Sequence, residues 1–274
     1  MPIKVIDPHY ELALVSPFLL QTLAEVVADK GIDPHSLCRG LGFTLDDLDD
    51  PAQRISYRQA VAMIQRALKV IPNQGLGLWV GNQNVLGTLG LLGHVLSLCK
   101  TLRDAFELGI RHQHTTGGIV VSSVQEVPGQ VYVDAECRLP FADVQQFAVE
   151  EFFASLLVYG RALVGADFHC LRVEFMHAAP DYVAQYHRLL GADVRFGCLH
   201  NRLVLEARWL DVCLPNHHSL ALRQAVKLLE LEGAQVHQKL DLIQAVERAI
   251  SRDLTRGSHL EKIAGDLNMS GRTL

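Results

Sequence analysis

Long apolar runs are missing from this chain of 274 residues. No stretch reaches the ~18 residues that a bilayer-spanning helix needs. The opening stretch, MPIKVIDPHYELALVSPF, has acidic residues and prolines and no unbroken apolar core. It does not read as a signal peptide, so a cytoplasmic protein with no membrane partner is expected. Paired cysteines are absent too. Cys38, Cys99, Cys137, Cys170, Cys198 and Cys213 are scattered, with no C-x-x-C among them. Reduced thiols that act as small hydrophobes fit best. There is no G-x-S-x-G elbow, no H-E-x-x-H and no dinucleotide fingerprint, so no catalytic residue is assigned. Charge is modest, at 20% of residues and a net −5, which argues against the whole chain being a nucleic-acid surface.

What is abundant is apolar sequence, 49% of the chain, enough for one large or two ordinary folded domains. Ser16-Pro17 is a start signal for a helix with an apolar stripe at Phe18, Leu19, Leu23, Val26 and Val27, stopped by Gly31. Asp33-Pro34 opens a short helix. Residues 46–51 read as an acidic loop. Ser56 and Gln59 form a capping box for the next helix. Residues 76–80 and 87–99 follow as helices. In the second, Gly87, Gly90 and Gly93 recur every three residues. They lack the Lys-Ser/Thr of a phosphate loop and read as a close-packing surface. Thr101 and Asp104 start a helix over 102–114, with Leu102, Ala105, Phe106 and Ile110 inward.

Residues 118–127 and 130–138 alternate with period two around Pro128-Gly129, the pattern of a β-hairpin. Asp143 and Gln146 are placed to cap a long helix through Leu163, with Phe147, Phe152, Phe153, Leu156 and Leu157 apolar. A strand at 171–176, a helix at 181–190 ended by Gly191, and strands near 194–196 and 203–205 complete the set. This order predicts an α+β fold: N-terminal helices packed on a small, mainly antiparallel sheet. An all-α linker and the start of a helix-turn-helix domain follow it. The expected boundaries are 1–215 for a sensing domain, 216–238 for a linker or dimerisation helix, and 239–274 for the incomplete DNA-binding part.

The last stretch, LEKIAGDLNMSGRTL, carries the most specific pattern. Leu260, Ile263, Ala264 and Leu267 fall on one helical face. Asn268 sits where the chain must turn, and Ser270 is a good N-cap for a second helix. That is the layout of a helix-turn-helix. An ordinary amphipathic helical hairpin would read the same from pattern alone. The wording resembles the first helix-turn-helix of the AraC/XylS family of transcription regulators, through Ile263, Ala264, Leu267, Met269, Ser270, Arg272 and Leu274. Asn268 and Gly271 depart from the family's usual Gly and Pro. The segments SPFLLQTLAEVVADKGIDPHSLCRGLG, RISYRQAVAMIQRAL and LGLLGHVLSLCKTLRDAFELGIRH look like that family's "arabinose-binding type" effector domain. So does the segment running from RVEFMHAAPDYVAQYHRLLGADVRF to LDVCLP. The resemblance implies a ligand-responsive transcription regulator, an activator and a homodimer, that binds DNA when intact and senses a small organic effector. It makes the chain a fragment stopping inside its first helix-turn-helix. Ser270, Gly271, Arg272 and Thr273 are the expected DNA-binding residues.

For an effector pocket, polar groups on apolar elements are the candidates: Trp79, Arg111, His112, Glu150, Glu151 and Tyr159. Arg111 would suit a carboxylate ligand through its fork of donors. A surface ion pair or a buried polar cap is the competing reading for each. Glu150 and Glu151 are adjacent on one helix and point roughly 100° apart, which reads more simply as a solvated helix edge. His112 and His114, and His217 and His218, lack ligand spacing, so neither metal nor cofactor is expected. The alternatives are a cofactor-binding sensor or enzyme on an α+β scaffold, and a purely oligomerising module.

Overall fold

The structure, a computed structural model, describes residues 10–50, 52–234 and 246. The chain divides into two compact units, Met1–Val226 and Lys227–Leu274. Within the second, residues 227–234 continue a helical stretch that begins at 219. Of the expected helix 241–254 only residue 246, which is helical, is described; the turn at Asn268 and the four DNA-binding candidates Ser270, Gly271, Arg272 and Thr273 lie outside the described residues. Among the described residues no helix is long and apolar enough to cross a membrane. All six cysteines are free thiols, four of them buried.

The first unit is α+β. Its main sheet has five strands: β3 (Val120–Val127), β4 (Gln130–Cys137), β5 (Arg172–Glu174), β6 (Asp193–Arg195) and β7 (Arg202–Glu206). Their spatial order is β3-β4-β7-β5-β6. Every pairing is antiparallel except β5 with β6. A parallel pair needs a crossover, and α9 (Val183–Leu190) supplies it, ended by Gly191 at φ 66°. The hairpin β3–β4 turns through Pro128 and Gly129, in register from Val120↔Cys137 to Val127↔Gln130. Along β4, Val131, Val133, Ala135 and Cys137 are buried and alternate with exposed or half-exposed residues, as one covered face requires.

What covers the sheet is α8 (Ala142–Val164), which packs on β3 and β4 and, from its other sides, on α4 (Tyr57–Val70) and α5 (Leu76–Gln83). The N-terminal core beyond it is built by α1 (Phe18–Asp29), α4 and two short helices, α2 (His35–Cys38) and α3 (Leu45–Leu48). The capping boxes Ser56/Gln59 and Thr101/Asp104 both form, the second at the start of α7 (Leu102–His112). A further two-stranded pair, β1 (Ala13–Val15) with β2 (Ile55–Ser56), was not apparent from periodicity because each strand is too short to show one.

Four local expectations are corrected. Residues 46–51 do not form a plain acidic loop: Thr44 and Asp47 cap each other reciprocally and turn 45–48 into α3. The helix over 87–99 is broken at Gly90, which takes φ 59° and ψ −134°, between a 3-10 turn at Leu86–Leu89 and α6 (Leu91–Ser97). Asp143 and Gln146 do not cap α8; no side-chain cap bond forms at its start, and the Gln146 amide is engaged elsewhere. Pro17 stands just before α1 rather than inside it, also without a side-chain cap.

A close contact between two α-helices uses different glycines from the 87/90/93 series. In that series Gly93 packs against the Leu86 carbonyl, but a Cβ on Gly87 would meet little. On α5, Gly77 and Gly81 lie four residues apart on one face. A Cβ there would fall 2.3 Å from the carbonyl oxygens of Phe147 and Glu151 respectively. Only hydrogen fits, so the backbones of α5 and α8 touch. Gly81→Ala is therefore expected to destabilise the fold by about 1–3 kcal/mol through forced separation. Gly109→Ala, the same exchange inside α7 where the nearest atom to the new Cβ is 3.8 Å away, should stabilise it by about 0.5–1 kcal/mol. Urea midpoints at unchanged m check this; two shifts of the same sign would sink it.

Candidate functional site

Three apolar stripes that look in sequence like plain core face a cavity in whole or in part. On α1, Leu20, Leu23 and Val27 are fully buried, whereas Phe18 and Leu19 face a cavity. On α7, Leu102, Ala105, Phe106 and Ile110 all line the same cavity. On α8, Phe147, Phe153 and Leu157 enter the core, while Phe152 and Leu156 turn toward it. The remaining wall comes from Leu89, Leu92 and Leu96 around α6, Val120 and Val133 of the hairpin, and Phe168. The volume that side chains leave unfilled is about 230 Å³.

One wall is polar. Glu151, Ser155 and Tyr159 are spaced four apart along α8 and so lie on one face. Asn84 follows the last residue of α5 and donates through Nδ2 to Glu151 Oε1 and to Ser155 Oγ, both at 2.7 Å. Ser155 donates its own proton to Glu151 Oε1 at 2.8 Å. Thr88 donates to the Val85 carbonyl at 2.7 Å, so the 2.9 Å contact between Thr88 Oγ1 and the Tyr159 hydroxyl has Tyr159 as donor. The row reads Asn84–Glu151–Ser155 and then Tyr159–Thr88. Burial raises the Glu151 carboxyl to about 7, against the smaller opposing pull of the bonds from Ser155 and Asn84. The Glu151 side chain is half-buried, and it lines the cavity wall. Burial, and then the Glu151 charge, push the Tyr159 phenol up as well.

Of the six candidates, Glu151 and Tyr159 are therefore brought together on the cavity. The other four are not on it. Trp79 packs against the N-terminal core with the Lys30 ammonium 3.6 Å above its ring. Arg111 is exposed at the end of α7, and His112 beside it is buried. Glu150 is 2% exposed and faces the other way. Its Oε1 accepts from Gln146 at 2.9 Å, from Tyr182 at 2.7 Å, and from the Tyr186 hydroxyl. Burial raises its carboxyl; the hydrogen bonds and the nearby His177 pull the other way. The two adjacent carboxylates do diverge as helix geometry demands, but neither lies on a solvated edge. One ties α8 to α9 and the other faces the cavity. Asn84, Ser155 and Thr88 escaped sequence reading. The 151/155/159 spacing on an apolar helix was the available signal for Ser155; nothing local marked Asn84 or Thr88. Among the described residues no three His, Cys, Asp or Glu side chains converge as metal ligands would.

Residues 31–214 match the family model described as the arabinose-binding domain of AraC transcription regulators, N-terminal. That stretch holds nearly all of the cavity, and the chain belongs to this family of AraC-type transcription regulators. Over 269 residues it is 23% identical to the uncharacterized HTH-type transcriptional regulator Rv1395 of Mycobacterium tuberculosis, covering 94% of this chain and 76% of that protein. The regulator Mb1430 of Mycobacterium bovis matches with the same figures. Among solved structures, the transcriptional regulator CdpR from Pseudomonas aeruginosa superposes with a TM-score of 0.59 at 15% identity, over 93% of this chain and 76% of that one. At that identity the likeness shows a shared fold.

The raised Glu151 pKa fixes a pH dependence. Its folded-state value lies above the ordinary 4.5, so the folded protein holds the proton more tightly. This contribution to stability is present below pH 4.5 and is lost as pH rises to about 7. Glu150 acts in the same direction. Glu151→Gln keeps an oxygen for Asn84 and Ser155 and removes the charge. Relative to the unchanged protein it should gain about 1–3 kcal/mol at pH 8 and little at pH 4.5. Urea unfolding at the two pH values measures it, and a gain of equal size at both would refute the assignment.

Proposed function

We propose that this regulator is controlled by a small organic effector bound in the cavity between α1, α6, α7, α8 and the β3–β4 hairpin. The observation that carries the reading is the cavity itself: mostly apolar, with the Asn84–Glu151–Ser155–Tyr159–Thr88 row on one side and Gln113, Thr116 and Ser122 on another to orient a ligand. Scaled from a 150 Å³ apolar cavity that holds benzene, it has room for roughly ten non-hydrogen atoms. A sugar fits this lining badly, because apolar side chains make up most of it and would leave many of the ring's hydroxyls without partners. The family's arabinose label is thus a name for the domain and not for the ligand of this chain.

The binding energy would act through α7 and α8, which both line the cavity and anchor the rest of the unit. A ligand shifts such an equilibrium only by its difference in affinity for two conformations. The helical stretch from 219 is the proposed link or dimerisation element. Leu220, Leu228 and Leu231 are more than half exposed on it, which supports pairing with a second copy in a homodimer. Operator DNA would be read by the helix-turn-helix, with Ser270, Gly271, Arg272 and Thr273 at bases or phosphates, and the regulator would act in the cytoplasm as an activator. Nothing in the cavity calls for a cofactor or a reaction, so the protein is proposed as a sensor and not an enzyme.

Two measurements check this. In gel shifts, a version carrying a whole helix-turn-helix domain should bind its operator specifically, whereas the 274-residue chain should not; equal specific binding by both would overturn the division of labour. Gly109→Leu projects a side chain into the cavity from a helical position where the nearest atom to a new Cβ, Leu96 Cδ2, is 3.8 Å away. With its melting transition unchanged, it should leave the operator affinity of the longer version intact and abolish its response to the effector.

A further inference from the structure

The polar row tells what kind of ligand can complete it. Count its protons. Both Nδ2 protons of Asn84 are engaged, by Glu151 and Ser155. The Ser155 proton goes to Glu151, the Thr88 proton to the Val85 carbonyl, and the Tyr159 proton to Thr88. Across the cavity, Gln113 gives its amide protons to the carbonyls of Ile110 and Ser122 and takes the Ser122 N–H on its oxygen. The row therefore has acceptors to offer and few donors. Both bonds to Glu151 land on Oε1, which leaves Oε2 without one. Among the described lining residues there is a carboxylate but no Lys, Arg or His. An anionic ligand would find no counter-charge and would be repelled by Glu151; Arg111, suggested by sequence as a carboxylate partner, is not on the cavity.

Resting on the reading of this cavity as the effector site, we propose that the effector is a small hydrophobic primary amine. Its ammonium would sit on Glu151 Oε2 with the Tyr159 oxygen as a second acceptor. Its apolar body would lie against Leu92, Leu96, Phe106 and Leu156. Three N–H donors with a positive charge match a site made of acceptors around one carboxylate. The position of the Glu151 titration near neutrality supports the same conclusion: burial alone makes the carboxyl reluctant to ionise, and a cation beside it restores the charge.

The test is calorimetric titration of the 274-residue chain with three probes of one skeleton: 2-phenylethylamine, 2-phenylethanol and phenylacetate. The amine should bind at least tenfold more tightly than the alcohol, and phenylacetate most weakly. Amine affinity should tighten severalfold from pH 6 to pH 8 as Glu151 gives up its proton, with protons released at pH 7 as judged in buffers of different ionisation enthalpy. In Glu151→Gln, with folding checked by its melting transition, amine and alcohol should bind alike and the pH dependence should vanish. A purely structural carboxylate would move none of these preferences. If the alcohol or phenylacetate binds as tightly as the amine, or Glu151→Gln leaves the amine preference intact, the amine assignment is overturned while the cavity remains a ligand site. If none of the three binds saturably, both readings are overturned.

Discussion

Two missing methyl groups hold the arrangement together. Because Gly77 and Gly81 carry only hydrogen, α5 lies directly on the backbone of α8, with contact at the Phe147 and Glu151 carbonyls. The chain leaves α5 at Asn84 already pressed against α8, and its amide meets Glu151 and Ser155 at 2.7 Å. A helix pair at the ordinary separation of 8–10 Å would leave that amide short of its partners. The polar wall of the cavity thus follows from a packing constraint one turn away. Without the close approach, Glu151 would be a buried carboxylate with one serine for company.

The same helix serves two chemistries on two faces. Glu150 is held by Gln146, Tyr182 and Tyr186, and so fastens α9 and the β5–β6 crossover to the spine of the domain. Glu151, one residue on, is left with a free oxygen at the edge of an apolar space. The aromatic packing around the first, with Tyr182 and Tyr186 stacked at 5.6 Å and Phe175 edge-on to Tyr186, has the density of a finished core. The leucine and phenylalanine wall around the second does not. That wall leaves about 230 Å³ unfilled by side chains. A ligand that prefers the folded form would stabilise it by mass action.

Membership of the AraC family assigns the molecule its class, and the cavity gives the class its physical content. The family label names a sugar, whereas the lining of this domain favours an apolar body with a single polar head. Regulators sharing one sensing fold can differ in ligand because the fold needs the backbone contacts and the outer core, not the identity of the few side chains on the cavity wall.

Local signals were enough for much of the fold. The capping residues Ser56 and Thr101, the period-two hairpin around Gly129 and the stop at Gly191 each depend on neighbours within a few positions, so chain order alone determined them. The wording of the effector-domain segments likewise pointed to the family without tertiary information, and residues 31–214 match its model. What only the three-dimensional packing decided was which apolar residues face core and which face cavity, since no periodicity rule tells whether the side of α8 that carries Phe152 meets packed core or open space. It also decided that Glu151, Ser155 and Asn84 meet. That contact joins residues 67 and 71 positions apart, and it depends on how closely two helices approach, a distance fixed by packing and not by any local pattern.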